Sequence, residues 1–178
     1  MLKLTTERLV LRDFSFHDLD AYIALRNAEK FKRFYSEDDV TKEKSKALLE
    51  LFIEQSKEQP RTHFQLAITT SNDALIGSCA FRIEEDKQAS IGCELAREWQ
   101  SQGFAEEAAN CLMNYALSSF DIHRFYAETI SDNIPAIKLC KDLGMRIEGE
   151  LVENRYFKGR WWNTTILGVL TRELERNI

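Results

Sequence analysis

WQSQGFAEEA, residues 99–108, decides how this chain is read. Before it, SIGCELA (90–96) alternates apolar and polar residues as a strand does. After it, Ala105, Ala108, Ala109, Leu112, Met113, Ala116 and Leu117 recur at helical spacing for about four turns. The segment therefore carries a strand into a helix through a short polar loop. That arrangement places a helix N-terminus, with unpaired N–H groups and the positive end of its dipole, at the carboxyl end of the strand. Gly103 has no Cβ and lets a ligand approach the backbone. Small Ala105 keeps a second approach open. Together they suit a pyrophosphate. The alternative is a tight turn whose dipole is satisfied by Glu106 and Glu107 with no ligand at all. There is no GxxxxGK[ST], which excludes a nucleoside-triphosphate loop, and no GxGxxG, which disfavours a dinucleotide fold.

Outward from this loop, the chain divides into short elements. Towards the N-terminus, Thr6–Asp13 (TERLVLRD) puts Leu9 and Leu11 on one face and predicts a strand. Ser15 and His17-Asp18 offer a cap for a helix carrying Leu19, Tyr22, Ile23 and Leu25. Residues 31–40 (FKRFYSEDDV) read as a loop or short helix with exposed aromatics. Leu48, Leu49, Phe52 and Ile53 then form a helical stripe up to about Glu58, broken by Pro60. Thr41 with Lys44 gives no capping box. FQLAITT (64–70), LIGSCAFRI (75–83) and SIGCELA (90–96) are three strands joined by the turns 71–74 and 84–89, an antiparallel meander with Gly77 as a candidate bulge. Beyond the central helix, HRFYAETI (123–130) is a strand. Asp132-Asn133 opens a helix with Pro135 in its first turn, and Gly144 closes it. Residues 145–157 and 161–170 form a hairpin around Lys158-Gly159-Arg160. The order is β-α-α-β-β-β-α-β-α-β-β. One helix joins strands 90–96 and 123–130, so these two should lie parallel. Open sheets bind ligands beyond the carboxyl ends of such strands, where the quoted loop sits.

Composition sets bounds on function. The 178 residues are 44 % apolar and 30 % charged, with net charge −5, which fits one soluble domain with a real core. A mildly acidic chain disfavours nucleic-acid binding, which wants clustered positive charge. No apolar run approaches the roughly 20 residues of a membrane-spanning helix, and the N-terminus lacks the apolar centre of a signal peptide. The four cysteines, Cys79, Cys93, Cys111 and Cys140, are scattered without CxxC or Cys/His clusters. This argues against metal binding and a disulfide framework, and for a reducing, cytoplasmic setting.

Gln100-Ser101-Gln102-Gly103-Phe104-Ala105 fits Q/R-x-x-G-x-G/A, and in its context the chain resembles the GNAT N-acetyltransferase superfamily. IGCEL (91–95) is similar to that superfamily's splayed strand, and DNIPAIKLCKDLGM (132–145) to its N-x-x-[AS]-x-x-L-x-x-x-G-[FM] helix. TERLVLRDF resembles the opening strand of the subgroup that acetylates ribosomal-protein N-termini. EGELVENRYFKGRWWN (148–163) resembles both that subgroup and the spermidine acetyltransferases. The resemblance implies an α/β (α+β) GNAT fold: a mixed, mostly antiparallel twisted sheet of about seven strands with about four helices. Its central parallel pair splays apart after a bulge near Leu95–Ala96. It implies acetyl-CoA as co-substrate, with the pyrophosphate on residues 100–105 and the pantetheine arm along Leu95 and Ala96. Asn133 would bond the coenzyme near its pantetheine end, its alternative role being a helix N-cap. Lys138 would reach the adenosine phosphates or simply face solvent.

The chemistry so implied is acetyl transfer to a primary amine, the protein acting as a monomer or homodimer. Such transfer needs a deprotonated amine, a polarised thioester carbonyl and a proton for the leaving thiolate. Glu94, on strand 90–96 beside the expected thioester, is the candidate base, with its facing open. The superfamily's usual acids are absent: Ala136 stands where the ribosomal-protein subgroup has Ser, and Cys140 where many members have Tyr. Cys140 is a candidate acid or a small buried hydrophobe, and Tyr156 on the hairpin is a further option. The subgroup's carboxylate on the first hairpin strand falls on Arg155. The acceptor would be walled by residues 28–40, with acidic Glu37, Asp38 and Asp39, and by the hairpin with Tyr156, Trp161 and Trp162, one tryptophan buried and the other exposed. The other reading is a non-catalytic acyl-CoA-binding module.

Overall fold

The computed structural model describes residues 1–29 and 31–174. Thirteen elements run in the order β1 (Lys3–Thr5), β2 (Val10–Asp13), α1 (Leu19–Asn27), α2 (Lys42–Gln55), β3 (His63–Thr69), β4 (Leu75–Ile83), β5 (Gln88–Leu95), α3 (Phe104–Ser119), β6 (Arg124–Ile130), α4 (Ile134–Asp142), β7 (Arg146–Phe157), β8 (Arg160–Leu170) and α5 (Thr171–Leu174). Eight strands form one sheet in the order β1-β2-β3-β4-β5-β6-β8-β7. Every neighbouring pair is antiparallel except β5 and β6. The mixed α/β fold expected from the sequence is therefore present, with one strand and one short helix more than expected.

The extra strand comes from the N-terminus. Thr6–Asp13 is not one strand. Thr6 closes a turn, its backbone N–H donating to the Leu9 carbonyl at 3.0 Å and its hydroxyl accepting from the Leu9 N–H at 2.9 Å. Lys3–Thr5 therefore folds back on Val10–Arg12. A threonine that bonds its own neighbouring backbone competes with the ladder, and here it wins. Leu9 and Leu11 still share a buried face, as their spacing predicts.

Alternation along the strands separates two cores. Phe64, Leu66 and Ile68 of β3, Cys79 and Phe81 of β4, and Ile91 and Leu95 of β5 pack with Ala108, Leu112 and Ala116 of α3. The opposite face carries Ala67 under Tyr22 of α1 and Leu49 and Ile53 of α2, with Phe14. Ser15 donates its N–H to Asp18 Oδ2 at 2.8 Å at the entry to α1, and Thr41 caps α2 by accepting from the Lys44 N–H at 3.2 Å. The α2 stripe stops at Gln55, short of Glu58. A register shift falls between Ile68 and Thr69 opposite Ile76, beside the expected bulge at Gly77.

The parallel pair holds register only at Gln88↔Arg124, Ala89↔Phe125 and Ser90↔Tyr126. Beyond Ser90 and Tyr126 the strands part, so the opening begins well before Leu95–Ala96. The pairing of β4 with β5 is continuous from Ile83↔Ala89 to Gly77↔Leu95. The separation therefore needs no bulge at Leu95, because β5 simply follows β4 while β6 follows β8.

Candidate active site

The loop after β5 is braced by its own side chains. Gln100 Nε2 donates to the Leu95 carbonyl at 2.9 Å, and Gln102 Nε2 donates to the Glu98 carbonyl at 2.8 Å. Trp99 packs edge-on against Phe104. Gly103 sits at the N-cap of α3 with φ +81°, a conformation that costs a side-chain-bearing residue about 1–2 kcal/mol. The first intrahelical bond runs from the Glu107 N–H to the Gly103 carbonyl. The N–H groups of Phe104, Ala105 and Glu106 thus point out of the helix end without an intrahelical acceptor.

From the sequence, Glu107 is expected on the helix dipole and Arg8 on a strand. The structure joins them. Glu107 Oε1 accepts from the Thr6 hydroxyl at 2.5 Å and from the Arg8 N–H at 3.1 Å, while Oε2 accepts from Arg8 Nε at 2.6 Å. Burial pushes the Glu107 carboxyl up, but these bonds and the Arg8 charge outweigh it and hold it below the usual range. Arg8 also donates to the Gln102 carbonyl at 3.1 Å and lies over the Phe104 ring at 4.2 Å. Arg8 therefore borders Gly103, held there by Glu107 and the Gln102 carbonyl.

The facing of Glu94 is settled by its neighbours. Cys93 Sγ approaches the Ala105 carbonyl at 3.8 Å on the α3 side, so Glu94 and Gly92 face α1 and α2. Ser78 Oγ donates to Glu94 Oε1 at 2.8 Å. Gln65 Nε2 donates to Ser78 Oγ at 3.0 Å. The Tyr35 hydroxyl donates to Glu94 Oε2 at 3.3 Å. A Cβ at Gly77 would stand 2.2 Å from the Glu94 carbonyl, so glycine there lets β4 and β5 approach closely beside this carboxylate. Burial pushes the Glu94 carboxyl above its ordinary value, against the opposing bonds from Ser78 and Tyr35 and the charge of Arg26.

Arg26 is the hidden member of this cluster. It is 6 % exposed. Its three nitrogens donate to neutral oxygens: Nε to Ser45 Oγ at 3.2 Å, Nη1 to Tyr22 Oη at 3.4 Å and Nη2 to the Asp39 carbonyl at 2.6 Å. The rings of Tyr22, Phe31 and Tyr35 surround the guanidinium at 5.6, 5.6 and 5.8 Å. It fastens the 31–40 segment to α1 and α2 while its positive charge acts on Glu94. Phe31 and Tyr35 stack at 5.0 Å and are half-buried. The aromatics of this segment are thus packed instead of exposed, because the buried cation draws them inward.

The 28–40 segment and the hairpin come together as expected. Lys158 Nζ donates to the Lys32 carbonyl at 2.6 Å, and Phe34 meets Trp162 edge-on at 6.1 Å. Trp162 is 8 % exposed and Trp161 56 %. Lys30 lies outside the described residues. A small pocket of about 330 Å³ opens between the segment and Lys158, with Glu29 and Glu37 on its wall. A larger groove of about 480 Å³ runs over the sheet face that carries Glu94, with Gln65, Ala80, Ser90, Gly92 and Glu128 along its floor. Asp39 is taken up locally, accepting from the Ser36 hydroxyl at 2.7 Å.

The remaining sequence candidates lie elsewhere. Cys140 is buried in the core on the α3 side, where burial pushes its thiol up to about 11. Tyr156 is 61 % exposed on β7 and packs on Trp161 at 5.1 Å. Neither is a hydrogen-bond partner of Glu94. Asn133 holds the N-cap position of α4, yet its side chain makes no capping bond. Lys138 is exposed and paired with Asp142 at 2.5 Å, which pushes its ammonium up. Among the described residues there is no cluster of His, Cys, Asp and Glu able to hold a metal ion, and no helix is long and apolar enough to cross a membrane.

This sheet, opened between two parallel strands above a helix N-terminus, is that of an acetyltransferase: residues 8–146 match the acetyltransferase (GNAT) domain, and the chain belongs to that family. It is 30 % identical to an uncharacterized N-acetyltransferase, p20, of Bacillus licheniformis, over 97 % of this chain and 98 % of that one. The chain is thus an N-acetyltransferase by family. Among solved structures it is similar to RimL, a ribosomal L7/L12 alpha-N-protein acetyltransferase in complex with coenzyme A. The TM-score is 0.84 at 21 % identity, covering 95 % of this chain and 98 % of the other. It is also similar to the spermidine N-acetyltransferase of Vibrio cholerae in complex with CoA and spermine. There the TM-score is 0.80 at 22 % identity, covering 96 % and 99 %.

Proposed function

We propose that this protein transfers the acetyl group of acetyl-CoA to a primary amine by direct attack within a ternary complex, with Glu94 as the general base. The observation that carries this reading is the Glu94 carboxylate, on the stretch of β5 that has parted from β6, held by Ser78 and Tyr35, with burial raising its affinity for a proton. A primary amine is cationic at neutral pH and must lose a proton before it attacks. A carboxylate above its ordinary value is better matched to that task than a solvated one. The unpaired edge of β5 beyond Ser90 offers backbone N–H groups to polarise the thioester carbonyl.

On this reading residues 100–105 cradle the pyrophosphate at the open end of α3, with Gly103 allowing close approach and Arg8 adding positive charge. Leu95 and Ala96 border the pantetheine arm, Asn133 offers an unused amide to it, and Lys138 stands near the adenosine phosphates. CoA-bound neighbours of the same fold support acetyl-CoA as co-substrate. Their acceptors, a protein N-terminus and a polyamine, are both amines. The test is steady-state release of thiol from acetyl-CoA with spermidine, an alanyl peptide and free lysine, each with the natural protein and with Glu94→Gln. Amine-dependent release that collapses in the variant is the expected result. Tight acetyl-CoA binding with no amine-dependent release would instead identify a non-catalytic acyl-CoA-binding module.

A further inference from the structure

Resting on the assignment of Glu94 as base, we infer that Tyr35 is the general acid that protonates the departing coenzyme thiolate. Of the acids the sequence offers, Cys140 is shut in the α3-side core and Tyr156 lies exposed on β7 away from Glu94. Tyr35 reaches the centre from a different element, the 31–40 segment, and its hydroxyl lies 3.3 Å from Glu94 Oε2. The amine nitrogen that Glu94 serves and the leaving sulfur are bonded to the same carbon in the tetrahedral intermediate. A hydroxyl in contact with the base therefore stands within one reacting centre of the sulfur.

The side chain is built to hold this position. Its ring stacks flat on Phe31, with an interplanar angle of 2°. Its backbone N–H donates to the Lys32 carbonyl at 3.1 Å. The charged and titratable groups facing it are Glu94, Arg26 and Tyr22, and the negative charge of Glu94 is the largest influence holding the phenol protonated. That coupling has a direction useful to catalysis. While Glu94 is ionised, Tyr35 keeps its proton. Once Glu94 has taken a proton from the ammonium, the largest influence holding the phenol protonated is gone while burial remains, so Tyr35 becomes a stronger acid than before.

The steps balance. Glu94 takes one proton from the ammonium, and the nitrogen lone pair forms the C–N bond as the carbonyl π pair moves to oxygen. That pair returns as the C–S bond breaks, and its electrons leave on sulfur. Sulfur takes the phenolic proton of Tyr35. The phenolate recovers a proton from the Glu94 carboxylic acid, which restores both side chains. The second excess proton on nitrogen leaves to solvent. The products are the amide and the free thiol.

Tyr35→Phe keeps the ring that stacks on Phe31 and removes only the hydroxyl. With whichever of spermidine, the alanyl peptide and free lysine turns over fastest, kcat is expected to fall about 10²-fold or more, with KM for acetyl-CoA within threefold. Fluorotyrosines of stepwise lower phenol pKa, placed at position 35, should change kcat progressively, a response that a packing role does not give. Calorimetric binding of coenzyme A reports whether Tyr35→Phe is folded. A folded Tyr35→Phe with natural kcat, or a fluorotyrosine series with flat kcat, overturns the assignment. If Glu94→Gln is inactive while Tyr35→Phe is not, the base stands and the acid falls. If Glu94→Gln is fully active, the base reading itself fails, and this relay with it.

Discussion

The proposed coenzyme side and the proposed acceptor side of this site are built in opposite ways. The coenzyme side is contiguous: β5, the loop 96–103 and the first turn of α3 follow one another along the chain. On the proposed reading its chemistry at the helix end is backbone, fixed by the side chains of Gln100 and Gln102, with Arg8, Asn133 and Lys138 adding to it from elsewhere in the chain. The acceptor side is assembled from afar. Glu94 meets Ser78 from β4, Gln65 from β3 through Ser78, and Tyr35 and Arg26 from the segment around α1. A backbone site tolerates sequence change as long as its turn survives. A side-chain network is altered by every substitution in it. Specificity for the amine should therefore be confined to the second half.

The sharpest way to break this contrast is to disable one side and ask whether the other notices. Glu94→Gln should lower kcat/KM by about 10²–10⁴-fold and remove the acidic limb of the pH profile, while acetyl-CoA affinity by calorimetry stays within twofold. A matching loss of coenzyme affinity would mean that the two halves are not separate.

The reverse experiment comes next in size. Gly103→Val places a β-branched residue at φ +81°, which costs about 1–2 kcal/mol of stability and blocks approach to the helix end. Acetyl-CoA affinity should fall more than tenfold, read by calorimetry on protein shown to be folded by its thermal transition. Should affinity hold, the loop does not carry the pyrophosphate.

Within the acceptor side, Arg26 and Glu94 can be separated by pH. The Arg26 charge opposes the rise of the Glu94 carboxyl. Arg26→Met removes that opposition, so the acidic limb of kcat/KM should move to higher pH, and the amine KM should rise as the 31–40 segment loosens. An unmoved limb would show that Arg26 only packs. Stability gives a companion measurement. Because the Glu94 carboxyl is raised in the folded state, the fold binds more protons than the unfolded chain above the ordinary value of 4.5. Stability therefore falls as pH rises through that window. Glu94→Gln should raise Tm at pH 7, and the gain should vanish below about pH 4.5. A variant without that gain would mean that the ionised carboxylate is not held at a cost.

The same contrast explains what the sequence made legible. Local signals, such as the strand 90–96, the Gly103 turn and the apolar stripe of α3, lie on contiguous residues, and the strand–loop–helix unit could be read from them and the family from its resemblance. Alternation assigns a strand two faces but does not say which neighbour stays paired. The early parting of β5 from β6 at Ser90 and Tyr126 was therefore out of reach. So was the pairing of Thr6 and Arg8 with Glu107 about a hundred positions away. The most informative miss was Arg26. An arginine on an amphipathic helix reads as solvated, and its burial becomes visible only once Tyr22, Phe31, Tyr35 and Glu94 have converged around it. Its place one helical turn after Tyr22 and shortly before Phe31 and Tyr35 is the sequence signal that could have suggested it.

The smallest expected effect tests Asn133, an N-cap by position and the proposed partner of the pantetheine arm. As an N-cap, Asn to Ala typically costs about 1 kcal/mol of stability. Here the side chain makes no capping bond, and φ −83° with ψ 68° lies outside the usual extended cap geometry. Pro135 already occupies the first turn and removes one N–H that a cap would serve. Asn133→Ala should therefore lower stability by less than about 0.5 kcal/mol, as an ordinary surface substitution does. If the amide instead bonds the coenzyme, its loss removes one hydrogen bond worth about 1 kcal/mol, roughly fivefold in acetyl-CoA affinity. Denaturant unfolding and calorimetry on the same protein separate the two. A stability loss near 1 kcal/mol with unchanged affinity would return Asn133 to the helix and leave the pantetheine arm held by the β5 edge alone.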